Sequence, residues 1–374
     1  MADERKLSRS DFSRLLAALR ARGYELIGPT LRGGAVTYDS ISGAEDLPAG
    51  FTDRQSPGRY ELRSRDDSAL FGYASPAQSF KRHFHVPSEP LLTIRRGRDG
   101  LGVQASAPPA RRIALIGARA CDLAGLERLD RVMMDDAHAD LRYRSRREHV
   151  FVVAVNCGAP ASTCFCTSMG TGPEVTRGFD LALTEIGSEG NGAFVASAGT
   201  SDGQGLLDEL GTEPASDADR DRASAVLDAT RAAITRHLDT AGIKERLQNN
   251  PEHPAWDEVA ERCLACTNCT MVCPTCFCST VEDTTSLGGD VAERVRSWDS
   301  CHTESFSYVH GGSVRSSIKA RYRHWLTHKF AHWYDQFGSS GCVGCGRCIT
   351  WCPVGIDTVA QIEAVRPTAA AAAR

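Results

Sequence analysis

Two cysteine runs of one spacing hold the residues best suited to chemistry. Cys263-x-x-Cys266-x-x-Cys269-x-x-x-Cys273-Pro274 is repeated downstream as Cys342-x-x-Cys345-x-x-Cys348-x-x-x-Cys352-Pro353. Three thiolates set two residues apart can wrap one part of an iron–sulfur cube. The fourth lies too far along the chain and ligates the cube held by the other run. The expected sets are Cys263, Cys266, Cys269 with Cys352, and Cys342, Cys345, Cys348 with Cys273. This predicts two [4Fe-4S] clusters, whose chemistry is one-electron transfer. Paired C-x-x-C knuckles also bind zinc, but zinc does not account for a duplicated four-cysteine run ending twice in proline.

Seven cysteines remain outside these runs. Cys121 and Cys157 each follow an apolar stretch that reads as a strand, so both belong at the carboxyl edge of a sheet, where open α/β sheets place their ligands. With Cys164 and Cys166 they are a candidate set for a further cluster. The competing reading is buried apolar thiols with an incidental C-x-C. Cys276, Cys278 and Cys301, with His302 beside the last, form another group. It is open to three readings: a cluster with histidine as fourth ligand, a redox thiol pair, or residues packed around the first cube.

The elements that must position these residues follow from periodicity. Residues 8–22 read as a helix, capped by Ser8 or Ser10, with Phe12, Leu15, Leu16 and Leu19 on one stripe. Residues 30–105 read as strands and loops. Arg112–Ile116 is a buried strand, Gly117–Cys121 a turn, and Asp122 the cap of a helix through Val132; Val150–Val155 is a second buried strand. Strand, helix and strand make a βαβ unit. Phe179–Ile186 and Ala193–Ser197 suggest a hairpin, residues 199–221 a surface connection, and residues 222–238 a helix followed by another before Pro251. Pro251–Pro254 marks a boundary. The expected fold is α+β: an N-terminal α/β domain over residues 1–250, an α-helical ferredoxin-like domain over 251–364, and a frayed tail over 365–374.

The long insert between the runs, Thr275–Gly341, reads as helical, above all Ser313–Phe337. There Ile318, Tyr322, Trp325, Leu326, Phe330 and Trp333 share one face. Such a layout resembles the α-helical ferredoxin architecture of the iron–sulfur subunit of succinate dehydrogenase. The same segment carries Arg315, Lys319, Arg321, Arg323, His324, His328 and Lys329. That charge run reads as a solvated face, against the alternative that some of the bases face a cluster and raise its potential. His83 and His85 alternate as in a strand and read as surface histidines. Gly344 and Gly346 are expected to let backbone approach a cube.

Bulk composition narrows the class. The chain has 374 residues, is 41% apolar and 24% charged, and carries a net charge of −4. No basic excess marks it for nucleic acid, no apolar run has the length of a membrane span, and the charged, amphipathic N-terminus lacks signal-peptide character. These features point to the cytoplasm, where fifteen cysteines read as metal ligands in preference to disulfides. No phosphate loop or G-x-G-x-x-G is present.

Several further segments carry a resemblance: Gly28-Pro29-Thr30, Asp46-Leu47-Pro48, Gly117-Ala118-Arg119-Ala120-Cys121-Asp122-Leu123, Asn156-Cys157, Trp298-Asp299-Ser300-Cys301, His328-Lys329-Phe330 and Cys342-Val343-Gly344-Cys345-Gly346-Arg347-Cys348. With the cysteine runs, they make the chain resemble, over nearly its full length, the β subunit of cytoplasmic sulfhydrogenases, nickel–iron hydrogenases that couple to NADP. It is similar as well to the related A subunit of anaerobic sulfite reductase. The turn at Cys121 also resembles the cluster-binding turn in β subunits of deazaflavin-reducing hydrogenases. The resemblance implies an electron-transfer subunit of a soluble complex and not a stand-alone enzyme. Its implied partners are a γ-type subunit binding flavin and NAD(P), with hydrogenase small and large subunits or a sulfite-reducing subunit. Two other classes compete: direct sulfur or polysulfide reduction at Cys276, Cys278 and Cys301, and a scaffold whose clusters are structural.

Overall fold

The computed structural model describes residues 4–98, 100–108, 111–135, 137–187 and 192–365. The alanine-rich end expected to fray, Thr368–Arg374, lies outside them.

An eight-stranded mixed sheet forms the N-terminal part. Its order is Glu213–Pro214, Arg5–Ser8, Ala193–Ala198, Leu181–Ile186, Val150–Val155, Ile113–Ala118, Glu25–Arg32 and Ala35–Ser40. The expected βαβ unit is present: Ile113–Ala118 and Val150–Val155 pair in parallel, joined by helices Ala120–Met133 and Leu141–Arg147. Strand alternation sends successive side chains to opposite faces. Ala114, Ile116, Val153 and Val155 pack with Phe12, Leu15, Leu16 and Leu19 of helix Arg9–Ala21. Ile113, Leu115, Val152 and Ala154 pack on the other side with Leu123, Leu126 and Leu129. Both faces are covered, which is why these strands read as continuous apolar runs.

A third core belongs to the C-terminal helices. Trp256 and Val259 of helix Ala255–Arg262 meet Tyr322, Trp325 and Leu326 of helix Ile318–Thr327, with Phe330, Ile349, Val359 and Ile362. The architecture is therefore mixed, a large N-terminal sheet followed by C-terminal helices.

Several local expectations are corrected. Residues 199–221 are not only a surface connection: Ser201–Leu210 is a helix capped by Thr200, closed by left-handed Gly211, and burying Leu206, Leu207 and Leu210. The following helix begins earlier than expected and spans Asp217–Ala233, because Ser216 and Asp219 form a capping box. Asp122 is not the helix cap but its third residue, accepting the Arg119 backbone N–H. His83 lies in a short helix, Lys81–Phe84, and His85 at its end is buried, so neither sits in a strand. The insert is not helical throughout. Ser279–Thr285 and Val291–Trp298 form a hairpin whose second strand pairs antiparallel with Ser88–Gly97. The long helix starts only at Ile318 and passes through a π-helical turn at His328–His332.

Glu89 ties that second sheet to helix Leu141–Arg147. Its buried carboxylate accepts from Arg142 Nε at 2.8 Å, Arg146 Nη2 at 2.5 Å and Arg296 Nη2. Burial pushes the carboxyl up, but the hydrogen bonds from the arginines outweigh it and hold the group at about 2. A depressed folded value means the stabilisation is fully present above the ordinary value of 4.5 and is lost as pH falls through about 2. Glu89→Gln should lower unfolding free energy by roughly 3 kcal/mol at pH 7 and flatten the acid limb between those values. Parallel acid titrations of stability for the two proteins check this.

Candidate metal centre

The cysteine runs lie at opposite ends of the insert, and folding brings them together around two adjoining hollows. The first is lined by Cys263, Cys266, Cys269 and Cys352. The second is lined by Cys342, Cys345, Cys348 and Cys273. Cys352 thus stands beside the first run and Cys273 beside the second. Cys348, Trp325 and Thr358 line both hollows and form the wall between them.

Each run makes the same backbone turn. Residues at the same two offsets are left-handed: Ala265 (φ 50°) and Thr267 (φ 67°) in the first, Gly344 (φ 63°) and Gly346 (φ 74°) in the second. The Ala265 N–H lies 3.4 Å from Cys263 Sγ, and the Gly344 N–H stands at 3.4 Å from Cys342 Sγ. The glycines also serve a neighbour that the sequence did not suggest. A Cβ on Gly344 would stand 2.6 Å from Phe165 O, and one on Gly346 2.5 Å from Thr163 O. Both positions thus admit the Thr163–Cys166 loop, and Gly346 also lines the second hollow.

That loop belongs to a third hollow, lined by Cys121, Cys157, Cys164 and Cys166. Cys121 and Cys157 reach it from the carboxyl ends of adjacent parallel strands. The loop is sewn to the second run: the Phe165 N–H donates to Gly344 O at 2.8 Å, and Thr171 Oγ1 donates to Val343 O at 2.6 Å. Cys345 lines both the second and third hollows. Arg119 lines the third as well and is 2% exposed. Its guanidinium donates to carbonyl oxygens of Asn156, Phe71 and Tyr73, while Nε has no protein partner.

Cys276, Cys278 and Cys301 gather beside the first two hollows. Hydrogen bonding links Cys273 with Cys276 and Cys278 with Cys301. The bond from Cys301 and the nearby Lys329 ammonium bring the Cys278 thiol down to about 7 against the opposing effect of burial. Two buried lysines face the group. Lys329 Nζ donates to Thr275 Oγ1 at 2.7 Å, and Lys81 Nζ donates to Cys276 O at 3.0 Å. Lys329 and Arg321 are therefore not part of a solvated face: they are 5% and 7% exposed. Lys319 and Arg323 do form outward ion pairs, with Asp257 and Glu252. Lys81 was not singled out by sequence reasoning, since nothing in Lys81-Arg82-His83 distinguishes a buried lysine from its exposed neighbours.

The donor sets suit cubes better than single ions. Four thiolates on one zinc at ~2.3 Å would crowd their sulfurs to within roughly 4 Å of each other. Among the described residues no three Cys, His, Asp or Glu side chains converge closely enough to hold one metal ion. The thiols instead surround hollows. Burial pushes the Cys166 and Cys342 thiols up to about 12, so thiolates there need a metal's charge to form. His302, Tyr322 and Trp325 line the first hollow, and both His302 ring nitrogens, Tyr322 OH and Trp325 Nε1 have no protein partner. Buried polar groups rarely go unsatisfied, and a cube bound there would supply acceptors for the N–H and O–H donors among them.

Residues 262–356 match the family described as a 4Fe-4S dicluster domain. Sulfhydrogenase 2 subunit beta of Pyrococcus furiosus is 30% identical over 322 residues, spanning 82% of this chain and 89% of that one. No solved structure matches. No helix among the described residues is long and apolar enough to cross a membrane.

Proposed function

The chain belongs to the sulfhydrogenase beta-subunit family, and from that membership we propose that it is the iron–sulfur electron-transfer subunit of a soluble, cytoplasmic nickel–iron sulfhydrogenase. Its partners are then a γ-type subunit binding flavin and NAD(P), together with the hydrogenase small and large subunits. Two [4Fe-4S] clusters supply one-electron carriers when bound. Cys263, Cys266, Cys269 and Cys352 hold one; Cys342, Cys345, Cys348 and Cys273 hold the other. The observation carrying this reading is the shared wall of Cys348, Trp325 and Thr358 between two thiol-lined hollows, which sets the carriers side by side.

The protein's own groups tune the pair. Lys329 stands beside Cys273 and Cys342 with its ammonium favoured by their thiolates against the cost of burial, and a fixed cation there favours the more negative, reduced state. The surrounding aromatic core excludes water, which strengthens that influence. Cys266 is exposed, as are Leu264 and Val354 on the same rim, so the first site meets solvent where a redox partner can approach.

Cys348→Ser tests the relay in the assembled complex. Iron should fall by ~4 per chain, and NAD(P)-linked hydrogen turnover should drop at least tenfold. Hydrogen chemistry driven by artificial mediators should be largely retained. An equal fall in mediator-driven turnover would replace the relay with a catalytic or assembly role.

A further inference from the structure

We propose that Cys121, Cys157, Cys164 and Cys166 hold a third iron–sulfur cluster, which extends the relay to the carboxyl edge of the N-terminal sheet. The four thiols come from three separate chain segments and line one hollow. Cys121, Cys164 and Cys166 are buried and Cys157 is half-buried. Incidental apolar cysteines would be scattered through the cores; these converge.

A second observation points to an anionic occupant. Arg119 is buried against this hollow, its bonds run to neutral carbonyls, and its Nε has no protein partner; the Phe71 and Tyr73 rings face it, and the carboxylates of Glu185 and Asp53 act on it only as nearby charges. A buried guanidinium is costly unless a negative charge compensates it. Four neutral thiols supply none, whereas a four-thiolate cube is net negative in either common oxidation state. Space is reserved as well: a Cβ on Gly172 would press on Cys166 Sγ at 3.2 Å and on Ala120 at 3.3 Å.

The position gives the site a use. Cys348 stands between the first and second hollows and Cys345 between the second and third, so the three form a row. One end opens at exposed Cys266. The other lies behind Ala120, Gly172 and Pro173, which also line a broad surface cleft. The chain would then be a wire with two accessible ends, each transfer passing one electron between neighbours with no bond made or broken. Only this use rests on the relay reading; the site itself rests on its residues.

The test uses the full chain, purified and reconstituted anaerobically, with iron and acid-labile sulfide counted. The expected wild-type content is about 12 irons, ~4 per cube. Cys157→Ser should lose about a third of the iron, while Cys278→Ser should lose none. In unmutated protein, Cys157 should resist iodoacetamide until a chelator strips the iron, a readout that does not depend on the variant folding. About 8 irons with Cys157 freely alkylated would overturn the third cluster and leave the two-cube relay standing. Iron lost from Cys278→Ser but not from Cys157→Ser would overturn it too. Wild-type protein without iron would overturn both readings.

Discussion

Arg347→Met should destabilise the protein by about 3–5 kcal/mol, the range for breaking one side of a buried ion pair. Arg347 is 0% and Asp122 1% exposed. Arg347 Nη2 donates to Asp122 Oδ1 at 2.7 Å, and Nε donates to Pro76 O at 2.8 Å. Asp122 also accepts from Tyr38 OH at 2.8 Å. The pair joins two cysteine elements directly, since Arg347 precedes Cys348 and Asp122 follows Cys121. Removing the guanidinium leaves a carboxylate with no route to water. Anaerobic denaturant unfolding of the holoprotein measures the loss. The double variant Arg347→Met with Asp122→Leu should recover much of it, because an apolar pair of similar volume replaces a buried pair at little cost. A single-variant loss below ~1 kcal/mol would mean that Asp122 finds other compensation.

How much of this was legible in the sequence depends on whether the signal is local. Cysteine spacing is local, and the pairing of the fourth thiol with the opposite run follows from the reach of a chain around a cube. The first helix was legible because Phe12, Leu15, Leu16 and Leu19 repeat at helical spacing behind a capping serine. The hairpin at Ser279–Trp298 was not. Its strands, STVEDTT and VAERVRSW, bury little on either face, so the alternation that marks a half-buried strand is missing, and its partner Ser88–Gly97 is remote in sequence.

Burial within a charge run was equally hidden. Lys319, Arg321, Arg323 and Lys329 are alike as letters, but helical phase, altered by the π-helical turn at His328–His332, decides which face inward. Leu206, Leu207 and Leu210 carried a readable helical pattern, and the polar, glycine-rich stretch around them obscured it. Cys121 and Cys157 were placed at a sheet edge from strand order alone. That Cys164 and Cys166 meet them there depends on a loop whose path no local pattern encodes.

The duplicated turn gives a controlled comparison of two equivalent backbone positions. Gly344→Ala should cost about 3–5 kcal/mol: ~1–2 for a left-handed alanine, and the remainder from overpacking. Its Cβ would meet Phe165 O at 2.6 Å and Cys166 N at 2.7 Å, backbone atoms that cannot swing aside. They are also tied to this turn by the 2.8 Å bond from Phe165 N–H to Gly344 O. Ala265→Gly is the reciprocal change at the matching offset, where alanine already tolerates φ 50°. Relief of left-handed strain, ~1–2 kcal/mol, is offset by the added freedom of glycine in the unfolded chain, about 0.4–1 kcal/mol. The net change should be within about 1 kcal/mol of neutral. Unfolding midpoints, together with retention of the iron–sulfur absorption, separate the cases. Large losses at Gly344 alone mean that the neighbouring loop selects glycine in the second run. Comparable losses at both would mean that the turn itself is intolerant, and the packing of the Thr163–Cys166 loop would no longer explain why the two copies differ.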